Sequence, residues 1–346
     1  MGGGWATLRF LKGSTLGGVR EARLSETTLV QGGSKLPADV YEPAGRVRGT
    51  VLFVHGMTVL GHRDPRQVRA CHVLAGAGLR VVAPRVPGLA ALHVRLEDLE
   101  HVADAVLAVS ARPELGGGRP VGVFSVSYSA GLCLIAAARE AVQPHVAALL
   151  ALGTYSDGVG WARWLVEAEE ADEYGRLLML RQFLPEVLGP RPGVDEALLA
   201  LLTDLVMHDG EPRFQAVMAR IEDEERRLVE RLRGDRAWCS ELSAVLRAKG
   251  TYERFRPLCP ADVAPRLRVP VALVHGATDR VVPPQESRDL HALLDAGGAP
   301  TRLVVTGLLT HGDVALGPHV IGEAIDVFRT FAHFFGAVER ARGAVG

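Results

Sequence analysis

The chain has 346 residues, 48% of them hydrophobic and 23% charged, with a formal net charge of -1. That balance suits a folded chain with a large core and gives no reason to expect a nucleic-acid partner or an anionic membrane surface. The four cysteines, Cys71, Cys133, Cys239 and Cys259, form no C-x-x-C pair. A zinc site or disulfide framework is therefore not expected, and a reducing cytoplasm fits.

The first residues, MGGGWATLRFLKGS, lack the apolar core of a secretory signal. Gly2 is present, but Ala6 stands where a myristoylation signal needs Ser or Thr. No run of about 18 apolar residues suggests a membrane span. Residues 1–20 read as a short helix or a loose arm. Two strand-like runs, 27–30 and 36–41, flank Gln31-Gly32-Gly33-Ser34, a hairpin signal.

The rhythm then changes. Residues 50–54 (TVLFV) form a continuous apolar run, as a strand buried on both faces requires. It ends in His55-Gly56-Met57. A helix is predicted over 65–77, a buried strand over 79–83, and a long amphipathic helix over 92–111. The run VGVFSVSYSAGLCLIAAAR, 121–139, reads as strand, tight turn and helix. A further strand is predicted over 146–152. After a long interval come a strand over 271–275, a helix over 287–295, a strand over 301–306 and a closing helix over 320–340. Strands alternating with helices imply a mostly parallel sheet with helices on both faces.

The interval from about 155 to 270 carries helical periodicity instead. Phe214, Val217, Met218, Ile221, Leu228 and Leu232 follow three-four spacing around the charged run 222–227, which reads as a solvated helix face. Pro185, Pro190, Pro192 and Pro212 are expected to break the interval into several helices. The organisation predicted is a first core part over 1–155, a helical cap over 156–260, and a second core part over 261–346.

Chemistry in an open parallel sheet gathers at the carboxyl ends of its strands. Those ends hold His55, Ser127, Asp279 and His311. Ser127 is the centre of Ser125-Val126-Ser127-Tyr128-Ser129, a small-x-nucleophile-x-small pattern. A nucleophile on a strained strand-to-helix turn crowds its neighbours, so the residues two before and two after must be small. The usual pattern has Gly at both places and this chain has Ser. Ser125 and Ser129 are rivals to Ser127 if the strand register is off by two. His55 and His275 each precede Gly at a strand end and read as loop-shaping.

At these residues the chain resembles the α/β-hydrolase superfamily, over about 36–155 and 260–340. The segments VALVHGATDRVVPP and LLTHGD resemble the superfamily's acid and base loops. The resemblance implies an α/β-hydrolase fold with an inserted all-helical cap, Ser127 as nucleophile, Asp279 as acid and His311 as base. It implies an oxyanion hole from the backbone N–H groups of Met57 and Tyr128. Asp157, after the preceding strand, is the alternative acid. Histidine accepts the serine proton near neutral pH, aspartate fixes its tautomer, and the N–H pair stabilises the oxyanion.

The function this implies is a serine esterase acting on a carboxylic ester or thioester through an acyl-enzyme, with amide cleavage in the same class. Acyl transfer or carbon–carbon hydrolysis on the same triad is the alternative, and a non-catalytic binding protein of the same fold is a third. No cofactor or metal is expected. The expected partner is a small acyl substrate, with no nucleic acid, and a homodimer is left open. Trp161, Trp164, Tyr174, Phe183, Trp238, Tyr252 and Phe255 either line the site or hold the cap to itself. The cap is expected to control substrate entry, so Ala at bulky cap residues such as Trp161 or Phe183 should shift chain-length preference more than the stability of the sheet domain.

Overall fold

The computed structural model describes residues 2–16, 22–207, 209–308 and 320–343. Helix α1 (Gly2–Leu16) is followed by a hairpin of β1 (Arg23–Gln31) and β2 (Ser34–Glu42). Gln31 pairs with Ser34, leaving a two-residue Gly32-Gly33 turn with Gly32 at φ 57°. That positive φ is the one a primed hairpin turn demands. Then come β3 (Gly49–Val54), α2 (Pro65–Gly76), β4 (Leu79–Pro84), the short α3 (Pro87–Ala90), α4 (Glu97–Ala111), β5 (Val121–Val126), α5 (Tyr128–Ala137) and β6 (Val146–Leu152).

Helices α6 (Gly158–Glu167), α7 (Glu173–Leu188), α8 (Pro192–Met207), α9 (Arg213–Met218), α10 (Asp223–Gly234) and α11 (Arg236–Ala248) separate β6 from β7 (Val271–Gly276). The chain closes with α12 (Pro284–Ala296), β8 (Thr301–Thr306) and α13 (Val320–Gly343). Ala261 N–H donates to Ser156 O at 3.1 Å, so the inserted helices leave and rejoin the core at neighbouring points.

The eight strands form one sheet in the order β1-β2-β4-β3-β5-β6-β7-β8. β2 runs antiparallel to both of its neighbours, and the other pairings are parallel. Side chains alternate between two buried clusters, as a sheet covered on both faces requires. Leu52, Val54, Val121, Val123 and Leu273 face α4, α5 and α12. Val51, Phe53, Phe124, Leu150 and Val274 face α1, α2 and α13. The inserted helices bury Leu177, Leu198, Val229 and Leu246 in the same cluster as α4, α5 and α12. They share a core with that face.

Three local expectations change. The amphipathic helix begins at Glu97, not at 92, because Leu92 turns at φ 53° and residues 92–96 cross over as a loop. There Val94 N–H and His93 Nδ1 meet Gln182 Oε1 at 3.1 and 3.2 Å. Pro185 does not break a helix; it lies inside α7, three residues before its end. The periodic run from Phe214 to Leu232 is two helices. Arg226 binds Met218 O and Ile221 O between them, giving the interrupted carbonyls a donor.

Candidate active site

Parallel register lines up the strand ends. Val54 pairs with Ser125, Val126 with Leu152, and Leu152 with Val274. Each following residue is held from its neighbour: Ser127 N–H donates to Leu152 O at 2.7 Å and Gly153 N–H to Val274 O at 2.8 Å. The loops carrying Met57, Ser127, Asp157 and Asp279 therefore leave the sheet along one edge.

Ser127 sits at φ 57°, ψ -133°, between β5 and α5. A non-glycine residue there is strained, and such strain persists only where the surroundings impose it. Tyr128 is the first residue of α5, so its N–H is one of the helix's orphan donors and points where the helix dipole favours negative charge. The serines at the small positions are buried and occupied. Ser129 Oγ donates to Val126 O at 2.8 Å or to Val54 O at 3.3 Å, tying the turn to β3. Ser125 lies against Cys133. Ser127 is the half-buried member of the three. Gly131 is also required here, since a Cβ would lie 2.5 Å from the Tyr155 ring.

After β3, His55 is buried and bonded on both ring nitrogens. Nδ1 meets Gly56 O at 2.7 Å, and Nε2 accepts from Val86 N–H at 3.0 Å. Burial pushes its pKa down to about 4. It is a neutral, loop-shaping histidine. His275 is likewise fully buried, with Nδ1 2.6 Å from Ser287 Oγ and Nε2 2.8 Å from Val282 O.

The His55 shift has a consequence for stability. The unfolded chain takes up a proton below about pH 6.5, whereas the folded ring resists until about pH 4. The contribution is complete above about pH 6.5 and is lost as pH falls through that window, by roughly 2–3 kcal/mol. Urea unfolding should show a smaller loss between about pH 7 and about pH 4.5 in His55→Gln than in wild type. Equal losses would show that His55 carries no such linkage.

Asp279 follows β7 and is buried, with Oδ1 accepting from Val281 N–H at 2.8 Å and Val282 N–H at 3.0 Å. Oδ2 lies 3.5 Å from His275 Nε2. Asp157 is exposed and caps α6, accepting from Val159 N–H at 3.0 Å and from Cys259 Sγ at 3.3 Å. Glu286, a residue the sequence did not single out, accepts from Ser156 N–H at 2.8 Å and Asp157 N–H at 3.1 Å, and burial raises its pKa. His311 lies outside the described residues.

The inserted helices reach these loops. Trp161 Nε1–H donates to Val281 O at 2.8 Å, and its ring stacks 4.9 Å from Tyr155 and 6.1 Å from Tyr128. Tyr174 O–H donates to Met57 O at 2.8 Å. Phe183 instead packs edge-on against Tyr252 and Phe255, within the insertion. Two cavities lie elsewhere. One, of about 300 Å³, is lined by His93, Arg181 and Asp195. The other, of about 460 Å³, is lined by Asp39, His62, Arg63 and Arg85. Neither includes Ser127, Met57 or Asp279. Among the described residues no cluster of His, Cys, Asp and Glu has the grouping of a metal site, and no helix is long and apolar enough to cross a membrane.

No protein-family model matches the chain, and no curated protein does. Solved structures do. The brefeldin A esterase described as a bacterial homologue of human hormone-sensitive lipase superposes with a TM-score of 0.55 at 19% identity, over 97% of this chain and 86% of that one. The acylaminoacyl peptidase of Pyrococcus horikoshii gives 0.53 at 15%, over 95% of this chain but only 43% of the peptidase. The dienelactone hydrolase of Anabaena variabilis gives 0.50 at 16%, over 92% and 99%. At such identities the likeness is one of architecture. Together with the strand order and the strained serine at the end of β5, it establishes that the chain has the α/β-hydrolase fold.

Proposed function

We propose that this protein is a serine hydrolase that cleaves a carboxylic ester or thioester through an acyl-enzyme, with Ser127 as nucleophile, Asp279 as acid and His311 as base. The observation that carries the reading is Ser127 itself. A strained, half-buried serine stands at the N-terminus of a buried helix, at the carboxyl end of a central strand. Nothing in packing alone calls for φ 57° at a non-glycine residue; presenting a hydroxyl above the sheet edge does.

Ser127 Oγ attacks the carbonyl carbon while the imidazole of His311 takes its proton. The carbonyl oxygen becomes an oxyanion facing the N–H groups of Met57 and Tyr128. Collapse expels the alcohol or thiol with the proton from His311. Water, deprotonated by the same base, then cleaves the acyl-serine and restores the hydroxyl. Asp279 is favoured over Asp157 because its carboxylate is buried and aimed by two backbone N–H groups, whereas Asp157 is exposed and spent on a helix cap. The strands ending near Ser127 and Asp279 are separated by β6, about 10 Å axis to axis. That gap suits an imidazole with a hydrogen bond on each side.

Four buried free thiols fit a cytoplasmic location. A chain-length series of p-nitrophenyl esters, acyl thioesters and acyl anilides tests the reading. Ester or thioester turnover is expected to exceed anilide turnover. No turnover of any of the three would sink it. An added alcohol or amine as acceptor separates hydrolysis from acyl transfer.

A further inference from the structure

We propose that Tyr174, carried by the inserted helices, is a positioning residue for the oxyanion donor Met57, and that the start of α7 braces the acid loop against the oxyanion loop. The inference rests on the reading of Met57 as an oxyanion donor. It begins with the two peptide groups that flank the Met57 Cα. The N–H of Met57 belongs to the same planar unit as the carbonyl of Gly56. That carbonyl accepts from His55 Nδ1 at 2.7 Å, and the ring's other nitrogen accepts from Val86 N–H, so Nδ1 carries the proton. The next carbonyl, of Met57, accepts from the Tyr174 hydroxyl at 2.8 Å. With both planes held, the Met57 N–H has one direction.

The two holders come from different parts of the chain. His55 follows β3 directly, one residue before the carbonyl it grips. Tyr174 lies 117 residues from Met57 in sequence. Its own place is set from a third loop. Tyr174 N–H donates to Asp172 Oδ1 at 2.8 Å, Asp172 N–H donates to Arg280 O at 2.8 Å, and Arg280 Nε donates to Glu170 O at 2.7 Å. Arg280 follows Asp279 directly. Residues 170–174 thus span from the acid loop to the oxyanion loop. Burial raises the Tyr174 pKa, which keeps the hydroxyl protonated and a donor. This segment of the insertion is therefore a fixed part of the site's framework, and the donor geometry depends on its being seated.

Tyr174→Phe removes one hydroxyl and keeps the ring. The expected result is a fall in kcat of about tenfold, equivalent to about 1.4 kcal/mol of transition-state stabilisation, with KM within about twofold. The fall should be the same for short and long esters. Affinity for an alkyl boronic acid, which forms a tetrahedral adduct on the serine, should weaken by a similar factor. A purely structural role would lower the melting temperature without this split. Unchanged kcat and boronate affinity in a folded variant would overturn the proposal. So would a loss carried by KM or varying with chain length, since Tyr174 would then be touching substrate. If Tyr174→Phe does not fold, Asp172→Ala loosens the same brace, and the same split, about threefold, is expected. Loss of ester turnover by wild type itself would count against the hydrolase reading and not against Tyr174 in particular.

Discussion

Ser127→Ala is expected to lower kcat/KM for the best ester by on the order of 10⁴-fold or more, with the fold intact. Alanine is as small as the turn requires, and the bond that seats residue 127 is made by its backbone N–H to Leu152 O. The substitution leaves φ 57° no more strained than before, because both residues carry a Cβ. What disappears is the Oγ proposed to form the acyl bond. Ser125→Ala and Ser129→Ala provide the contrast. Removing the Ser129 hydroxyl unties a buried bond from the turn to β3, so the cost there should fall on stability, at roughly 1–3 kcal/mol. A Ser127→Ala enzyme that keeps most of its ester turnover would assign the chemistry to another group.

Trp161→Ala is expected to destabilise the protein by about 3–5 kcal/mol, a drop in melting temperature of roughly 4–7 °C for a chain of this length. The indole is 4% exposed and stacks on Tyr155 and Tyr128, which follow β6 and Ser127. Its N–H also satisfies Val281 O, whose own N–H holds Asp279. Removing the ring empties the stack and strips the loop that carries Asp279 of a support. From the sequence alone, Ala at Trp161 or Phe183 is expected to shift chain-length preference more than the stability of the sheet domain. Their burial reverses that order: both are core side chains, and Phe183 at 2% exposed packs within the insertion. Thermal melts of the two variants beside wild type check this. Melting temperatures within about 2 °C of wild type would contradict it.

The strands were legible because a strand buried on both faces is a continuous apolar run. Residues 146–152 and 301–306 are strands over the full spans their sequence suggests. The hairpin was legible from its two glycines. The turn at Ser127 was legible despite serine in both glycine places, because the physical demand is for small residues. The structure adds that the Ser129 hydroxyl is used rather than merely tolerated.

What stayed hidden depends on partners far away in sequence. Residues 92–96 have the apolar pattern of a helix, yet they loop to meet Gln182 and Arg181 from α7. The run through Phe214 and Leu232 keeps its period across a break that Arg226 makes tolerable. Nothing local marks Tyr174 or Trp161 as supports of the two loops, since their acceptors lie 117 and 120 residues away. Periodicity reports which face of an element is buried. It does not report against what.

The most direct test is to incubate the protein with a fluorophosphonate, which phosphonylates an activated serine hydroxyl, and to map the adduct by peptide mass spectrometry. One adduct per chain is expected, on Ser127, and none on Ser127→Ala. An unlabelled wild-type protein, or an adduct on any other residue, would contradict the account.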